Sequence, residues 1–269
     1  FNAASIVYQA PADGGEDRYM LVFQELDGPD IGPVRSGRPY FVRWAAEYRA
    51  AFAHFGGDEK TRFIVIPSLD GTYIWNMDGI GSGGPAFHRI TSRSPPHNAY
   101  TSTAALWGRA GQLGAPAAMP SDVGLRPFKE DAPAAERPAS QTIDVPYGRG
   151  TSSYTYDPAS NAYLRSVAGK AHIDPVDGKQ VVARNVVVLF MRLSIDPESE
   201  PGYARPVLDQ VGSGKAIVFR DGKAIVGTWK KADNNALTRF LDGDGNEVPL
   251  VRGRIFIQVV PTGTNVTFQ

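Results

Sequence analysis

Two segments of the first half gather the residue types that could do chemistry. Arg35-Ser36-Gly37-Arg38 runs directly into Pro39. A glycine-bearing loop that leads into a helix leaves main-chain N–H groups and the positive end of the helix dipole facing one way. Arginines beside them add fork-shaped donors suited to phosphate or carboxylate. The competing reading pairs Arg35 or Arg38 with acids such as Asp30 or Glu47, so that they only pin the loop. The second segment places Arg89, Arg93, His97 and Asn98 around Ser94-Pro95-Pro96, with Tyr100, Thr101 and Ser102 close behind. Its donors again lead toward a helix. His97 is suited to acid or base work near neutral pH, or to bonding main-chain carbonyls in a structural turn.

Other chemistries find less support. The chain has no cysteine, which removes disulfides, thiolate metal sites and cysteine nucleophiles. Its four histidines, His54, His88, His97 and His172, form no pair at ligand spacing, and no metal or cofactor is expected. There is no Gly-x-Ser-x-Gly elbow and no P-loop, since Gly79-Ile-Gly-Ser-Gly-Gly lacks the Lys-Ser/Thr ending. Asp242-Gly-Asp-Gly-Asn-Glu lacks calcium-loop spacing and reads as a turn. The 28 basic and 28 acidic residues balance, so no net basic face for nucleic acid is expected. No apolar run approaches the roughly 20 residues of a membrane-spanning helix.

The elements that must position these residues follow from periodicity. Ser5–Gln9 and Tyr19–Leu26 read as strands. Pro39–Phe55 reads as a helix, with Phe41, Trp44, Tyr48 and Phe52 at helical spacing and Pro39 in the first turn. Phe63–Ile66 reads as a short buried strand, and Tyr73–Trp75 as another. Tyr100–Gly111 reads as a second helix, with Thr101 or Ser102 as N-cap. From 114 to about 140, Pro and Ala dominate without periodicity, which marks a linker or extended connection. Beyond Thr142, strands alternate with turns, and Arg220-Asp-Gly-Lys is a hairpin signal between Lys215–Phe219 and Ala224–Trp229. The expected fold class is α+β: an α/β domain over residues 1–114, a linker over 115–141, and a mostly antiparallel β domain over 142–269, as a sandwich or small barrel.

Several segments together resemble one family, the YerB-like lipoproteins of bacteria, built from paired domains of unknown function. In the first half they are Ser5-Ile-Val-Tyr-Gln-Ala-Pro-Ala-Asp-Gly-Gly, Ile31-Gly-Pro-Val-Arg-Ser-Gly-Arg-Pro-Tyr-Phe-Val and Ser94-Pro-Pro-His-Asn-Ala-Tyr-Thr-Ser. In the second they are Tyr154-Thr-Tyr-Asp, Tyr163-Leu-Arg, Gly169-Lys-Ala-His-Ile-Asp, Asn185-Val-Val-Val, Val211-Gly-Ser-Gly-Lys and Gly227-Thr-Trp-Lys-Lys. Gly37 stands where the family more often has Ala, with the arginine spacing unchanged. The resemblance implies an extracytoplasmic protein held to the outer face of the cell membrane by a lipid anchor. It also implies a lipoprotein signal and a further strand before Phe1, so the front domain is expected to lack an edge. It directs attention to Arg35, Arg38, His97 and Asn98, and in the second half to Arg165, His172 and Asp174. It implies no established reaction.

Three functions compete on this reading. The leading one is a non-catalytic envelope protein whose Arg/His cleft binds an anionic small molecule or cell-wall component. The second is an envelope phosphotransferase or hydrolase in which Arg35, Arg38, Arg89 and Arg93 neutralise phosphoryl charge. The third is a scaffold for cell-wall proteins that docks through its β domain. The balance leans away from an enzyme, and oligomeric state is not encoded in any motif.

Overall fold

The computed structural model describes every residue from Phe1 to Gln269 except Asp122 and Pro201. It is mostly sheet with few helices, and no sheet closes into a barrel among the described residues. The chain divides into two compact units. One comprises Phe1–Glu25, Arg126–Lys231 and Arg239–Gln269, and the other Leu26–Leu125 with Ala232–Thr238.

The first unit is built around the continuous apolar run Asn185–Met191, which is buried at every position. A strand with no polar face must be covered on both sides. It pairs antiparallel with Gly212–Arg220 and parallel with Ile255–Pro261. These belong to a seven-stranded sheet in the order Arg239–Leu241, Lys223–Lys231, Gly212–Arg220, Asn185–Met191, Ile255–Pro261, Ile6–Pro11, Asp17–Val22. A second sheet runs Lys170–Ala171, Ala162–Val167, Gly150–Asp157, Thr142–Tyr147, Thr267–Phe268, with Val182–Ala183 paired to Ala162–Val167. Gly150–Asp157 buries Ser152, Tyr154 and Tyr156 at alternate positions, the period of a half-buried strand. Val7, Ile143, Tyr154, Val186, Ile217 and Phe256 meet in one core drawn from both sheets. Burial of each such side chain is worth about 1.5–3 kcal/mol. The hairpin expected at Asp221-Gly222 forms, with both residues at positive φ, 52° and 70°, as a two-residue turn between twisted strands requires.

One expectation about organisation changes here. Ile6–Pro11 and Asp17–Val22 do not open an α/β domain over 1–114. Ile6–Gln9 pairs parallel with Ile255–Gln258, which places both front strands in the unit made by the second half. Periodicity marks Val7 and Tyr8 as interior but cannot name the strand that covers them. Part of the expected linker has structure of its own. Phe128–Lys129 pairs with Leu250–Val251, and Ala134–Glu136 forms a short 3-10 turn.

The second unit carries both helices. Pro39–Ala46 is helical, but the expected continuation to Phe55 fails. Arg49 takes a φ of 52°, and Ala51–His54 becomes a strand parallel to Trp75–Asp78. Phe52 and His54 are buried in alternation with Ala51 and Ala53, a period of two that the helical reading overlooked. Phe63–Ile66 is not a buried strand. Thr61–Val65 forms a π-helical turn that buries Val65 and Ile66 and turns Phe63 and Ile64 outward. A four-residue apolar run does not separate strand from helix by pattern alone. Thr103–Gln112 is the second helix, and the Ser102 hydroxyl accepts from the Ala105 N–H at 3.2 Å, the cap expected of it.

Candidate functional site

The Arg35–Arg38 segment splits into two roles. Arg38 is 5% exposed; it donates to the Gly37 carbonyl at 2.6 Å and lies 3.8 Å from Asp58. Asp58 also caps the following turn, accepting from the Thr61 N–H and hydroxyl. Arg38 therefore pins its loop, with Asp58 as one acid beside it. Glu47 accepts from the Thr238 N–H and hydroxyl. Ser36 is engaged within the fold. Arg35 faces elsewhere, and its guanidinium meets His97 Nδ1 at 2.8 Å.

That contact joins the two segments singled out in the sequence. The Arg35 carbonyl accepts from the Phe55 N–H, and the Val34 N–H donates to the Ala99 carbonyl, so the strand at 51–54 and the loop at 97–99 flank the Arg35 loop. Arg89 reaches the same surface. Its guanidinium lies 4.7 Å from the Phe55 ring centre and donates to Asn98 Oδ1 at 2.6 Å. Asn98 is buried and also donates to the Ile90 carbonyl, so it positions Arg89 rather than facing a ligand. Arg93 and His97 stand exposed on the same Pro95-Pro96 loop. Among the described residues, Arg35, Arg89 and Arg93 make no ion pair with a carboxylate.

The Arg35 contact also fixes the His97 proton. A guanidinium only donates, so Nδ1 must accept and the ring proton resides on Nε2. His97 then presents a further N–H outward, and its tautomer is set by an arginine rather than by a carboxylate. The arrangement suits holding negative charge better than abstracting a proton.

Sequence reasoning overlooked Phe55. Phe55 is the platform under Arg89, and a Cβ at Gly79 would run into its ring, so the glycine makes room for it. Asp78 accepts from the Gly56 N–H at 2.8 Å, the Ile80 N–H at 3.0 Å and Arg62 Nε at 3.2 Å. Burial opposes its charge, but these donors together with His54 and Arg62 hold the carboxyl below its ordinary range. Gly56 at a φ of 72° admits the turn that delivers its N–H to Asp78.

In the first unit, Arg165, His172 and Asp174 come together, but inside the protein. Arg165 is 0% exposed. It donates to Tyr154 OH at 3.3 Å, Gln9 Oε1 at 2.8 Å, Tyr19 OH at 3.0 Å and Ser152 Oγ at 2.9 Å, and meets His172 Nδ1 at 2.5 Å. Its donors are spent on neutral partners, and Gln9 in turn bonds Asp17 at 2.5 Å. The Phe1 ring packs edge-on against His172 and Tyr19. Asp174 accepts from the main-chain nitrogens of Phe1 and Asn2, each at 2.7 Å. Burial works against its charge, yet these donors and the Val176 N–H keep the carboxyl below its ordinary range.

His172 is pushed down to about 4 by burial, then by the neighbouring Arg165 and the Phe1 amino group, with Asp174 opposing. Its folded value lies below the ordinary 6.5, so the unfolded chain binds the proton first. Stability is then lost as pH falls from about 6.5 toward 4, with a slope below the one-proton limit of about 1.4 kcal/mol per unit. Urea midpoints of wild type and His172→Gln are expected to diverge in slope across that window and to run parallel above it. Parallel curves throughout would mean that His172 titrates normally in the fold.

Both halves of the chain are similar to known proteins. Residues 1–116 match the family described as protein of unknown function (DUF3048) N-terminal domain, and residues 143–257 match its C-terminal domain. The Bacillus subtilis (strain 168) protein named "Putative lipoprotein YerB" is 29% identical over 262 residues, covering 96% of this chain and 75% of that protein. The crystal structure of YerB from Bacillus subtilis matches with a TM-score of 0.84 and 27% identity, covering 100% of this chain and 87% of the other. With both halves matched in order and the fold shared along the whole chain, this protein belongs to the YerB-like family of paired DUF3048 domains.

Proposed function

We propose that this is an extracytoplasmic, lipid-anchored envelope protein whose second unit binds an anionic group, a phosphate or carboxylate, at Arg35, Arg89, Arg93 and His97. The observation that carries the binding reading is the absence of an ion-pair partner for these three arginines among the described residues, in a chain with equal numbers of acids and bases. Arg38 and Arg62, by contrast, lie against Asp58 and Asp78. Cations left beside one another on a surface are relieved by a bound anion, and the planar forks of arginine match its oxygens. The location rests on the name of the Bacillus relative, a putative lipoprotein. The tautomer of His97 favours binding over acid–base catalysis. Arg165, His172 and Asp174 are assigned to holding the first unit together.

Thermal unfolding tests the site. Phosphate, pyrophosphate or citrate at about 100 times Kd should stabilise wild type by roughly 2.7 kcal/mol. The midpoint then rises by several degrees. Arg35→Ala/Arg89→Ala should lose the rise, with a ligand-free midpoint lowered only by the bond taken from Asn98, a cost of about 1–3 kcal/mol. No rise with any of the three anions, or an equal rise in the variant, would remove the site.

A further inference from the structure

The arginine surface continues into an apolar one. Ile80 is 62% exposed, and its Cδ1 would lie 2.8 Å from a Cβ on Gly56, directly after Phe55. Its N–H is held by Asp78, which also holds Arg62. The Arg62 guanidinium in turn lies 5.3 Å from the Phe63 ring centre. Phe63 and Ile64, side by side on the π-helical turn, are 66% and 65% exposed. Neighbours thus lead from Arg89 to Phe55 and the adjoining Gly56, from there to Ile80, and through Asp78, which binds both Ile80 and Arg62, to Phe63.

Three large apolar side chains this exposed stand out from the surface rather than line a groove, and leaving them in water is unfavourable. A globular partner would need a matching set of cavities and acids. A bilayer with anionic headgroups needs neither, because protruding Phe and Ile enter the headgroup–acyl boundary while arginines meet the lipid phosphates. The charge supports this occupant. Arg62 is engaged by Asp78, but Arg35, Arg89 and Arg93 are not paired with acids, and Lys60 is exposed beside the turn. The exposed acid of the turn is Glu59.

We infer that the second unit docks on an anionic lipid surface, with Phe63, Ile64 and Ile80 inserted and Arg35, Arg89 and Arg93 on the headgroups. This deepens the anion-binding reading and rests on it by naming the source of the phosphate. A tethered protein would meet that surface at high effective concentration.

Co-sedimentation of the 269-residue chain with phosphatidylglycerol or phosphatidylcholine vesicles tests it. Binding is expected to phosphatidylglycerol alone and to fall with salt. Phe63→Ser/Ile64→Ser/Ile80→Ser should lower it at least about tenfold while keeping the wild-type melting midpoint and the rise with inorganic phosphate. Arg35→Ala/Arg89→Ala should lower it about as much and lose that rise. A phosphate response without vesicle binding overturns the lipid surface and leaves the anion site standing. Vesicle binding that survives the apolar triple change overturns insertion. Loss of both responses in wild type overturns both readings.

Discussion

Arg165→Ala is expected to cost about 3–5 kcal/mol, the range for removing one partner from a buried charged network. The change leaves Tyr19, Ser152 and His172 facing a cavity without the Arg165 donor, while Gln9 keeps the Ser152 hydroxyl and Tyr154 keeps the Gln258 amide. Each buried acceptor stranded in this way carries its own desolvation penalty. Packing and polarity can be separated. Arg165→Met restores most of the volume and none of the hydrogen bonds, so it should fall between alanine and wild type. Arg165→Lys should also be costly, because a single ammonium has three donors and no planar fork to reach partners on several sides. Urea unfolding of the four proteins at pH 7 gives the order, and an alanine variant within about 1 kcal/mol of wild type would mean that the network is dispensable.

Asp221→Ala is expected to be the next largest loss, about 3 kcal/mol or more. One carboxylate holds four groups. Lys129 Nζ lies at 2.8 Å, Asn161 Nδ2 at 2.9 Å, Arg220 at 3.0 Å and the Ala132 N–H at 3.1 Å. It therefore ties the hairpin turn to the neighbouring turn at Asn161 and to the stretch that enters the unit at 126. Burial opposes the charge, but Lys129, Asn161 and Ala132 hold the carboxyl far below its ordinary value of 3.8. With the folded value depressed, the stabilisation is fully present above that ordinary value and drains away as pH falls beneath it. Wild type should lose stability on acidification below about pH 4 more steeply than the variant. Urea midpoints at pH 7 and pH 3 check both parts. A variant with an unchanged pH 7 midpoint, or a gap that fails to narrow at pH 3, would contradict this role.

What could be read in advance depended on whether the signal was local. The turn at Asp221-Gly222 needs positive φ at two adjacent residues, a demand that Asp-Gly advertises by itself. Ser102 capped its helix because the cap lies three residues from the N–H it serves. Arg35 and His97 were each visible as donors, but their meeting is 62 residues apart in the chain, and no spacing rule reaches that far. Arg38 and Arg35 looked alike in sequence, and only the position of Asp58 distinguishes the pinned one from the exposed one. Phe63 and Ile64 misled because an apolar pair normally goes inside. Here Val65 and Ile66, the next two residues, take the interior places, and the surface keeps the other two.

The parallel pairing of Ile6–Gln9 with Ile255–Gln258 has a consequence for how the chain is made. A strand near the front of this chain waits for one near its back, and the closing of so long a loop comes before its contacts reward it. A fragment ending near residue 116, where the first family half stops, would therefore carry Val7 and Tyr8 with no sheet to enter. A fragment beginning near 143 would leave Ile255–Pro261 with one flank bare. Neither half is a folding unit by the contacts it makes. The second unit is made of two insertions within the first, so dissection should remove both 26–125 and 232–238 and bridge each gap rather than cut the chain in two.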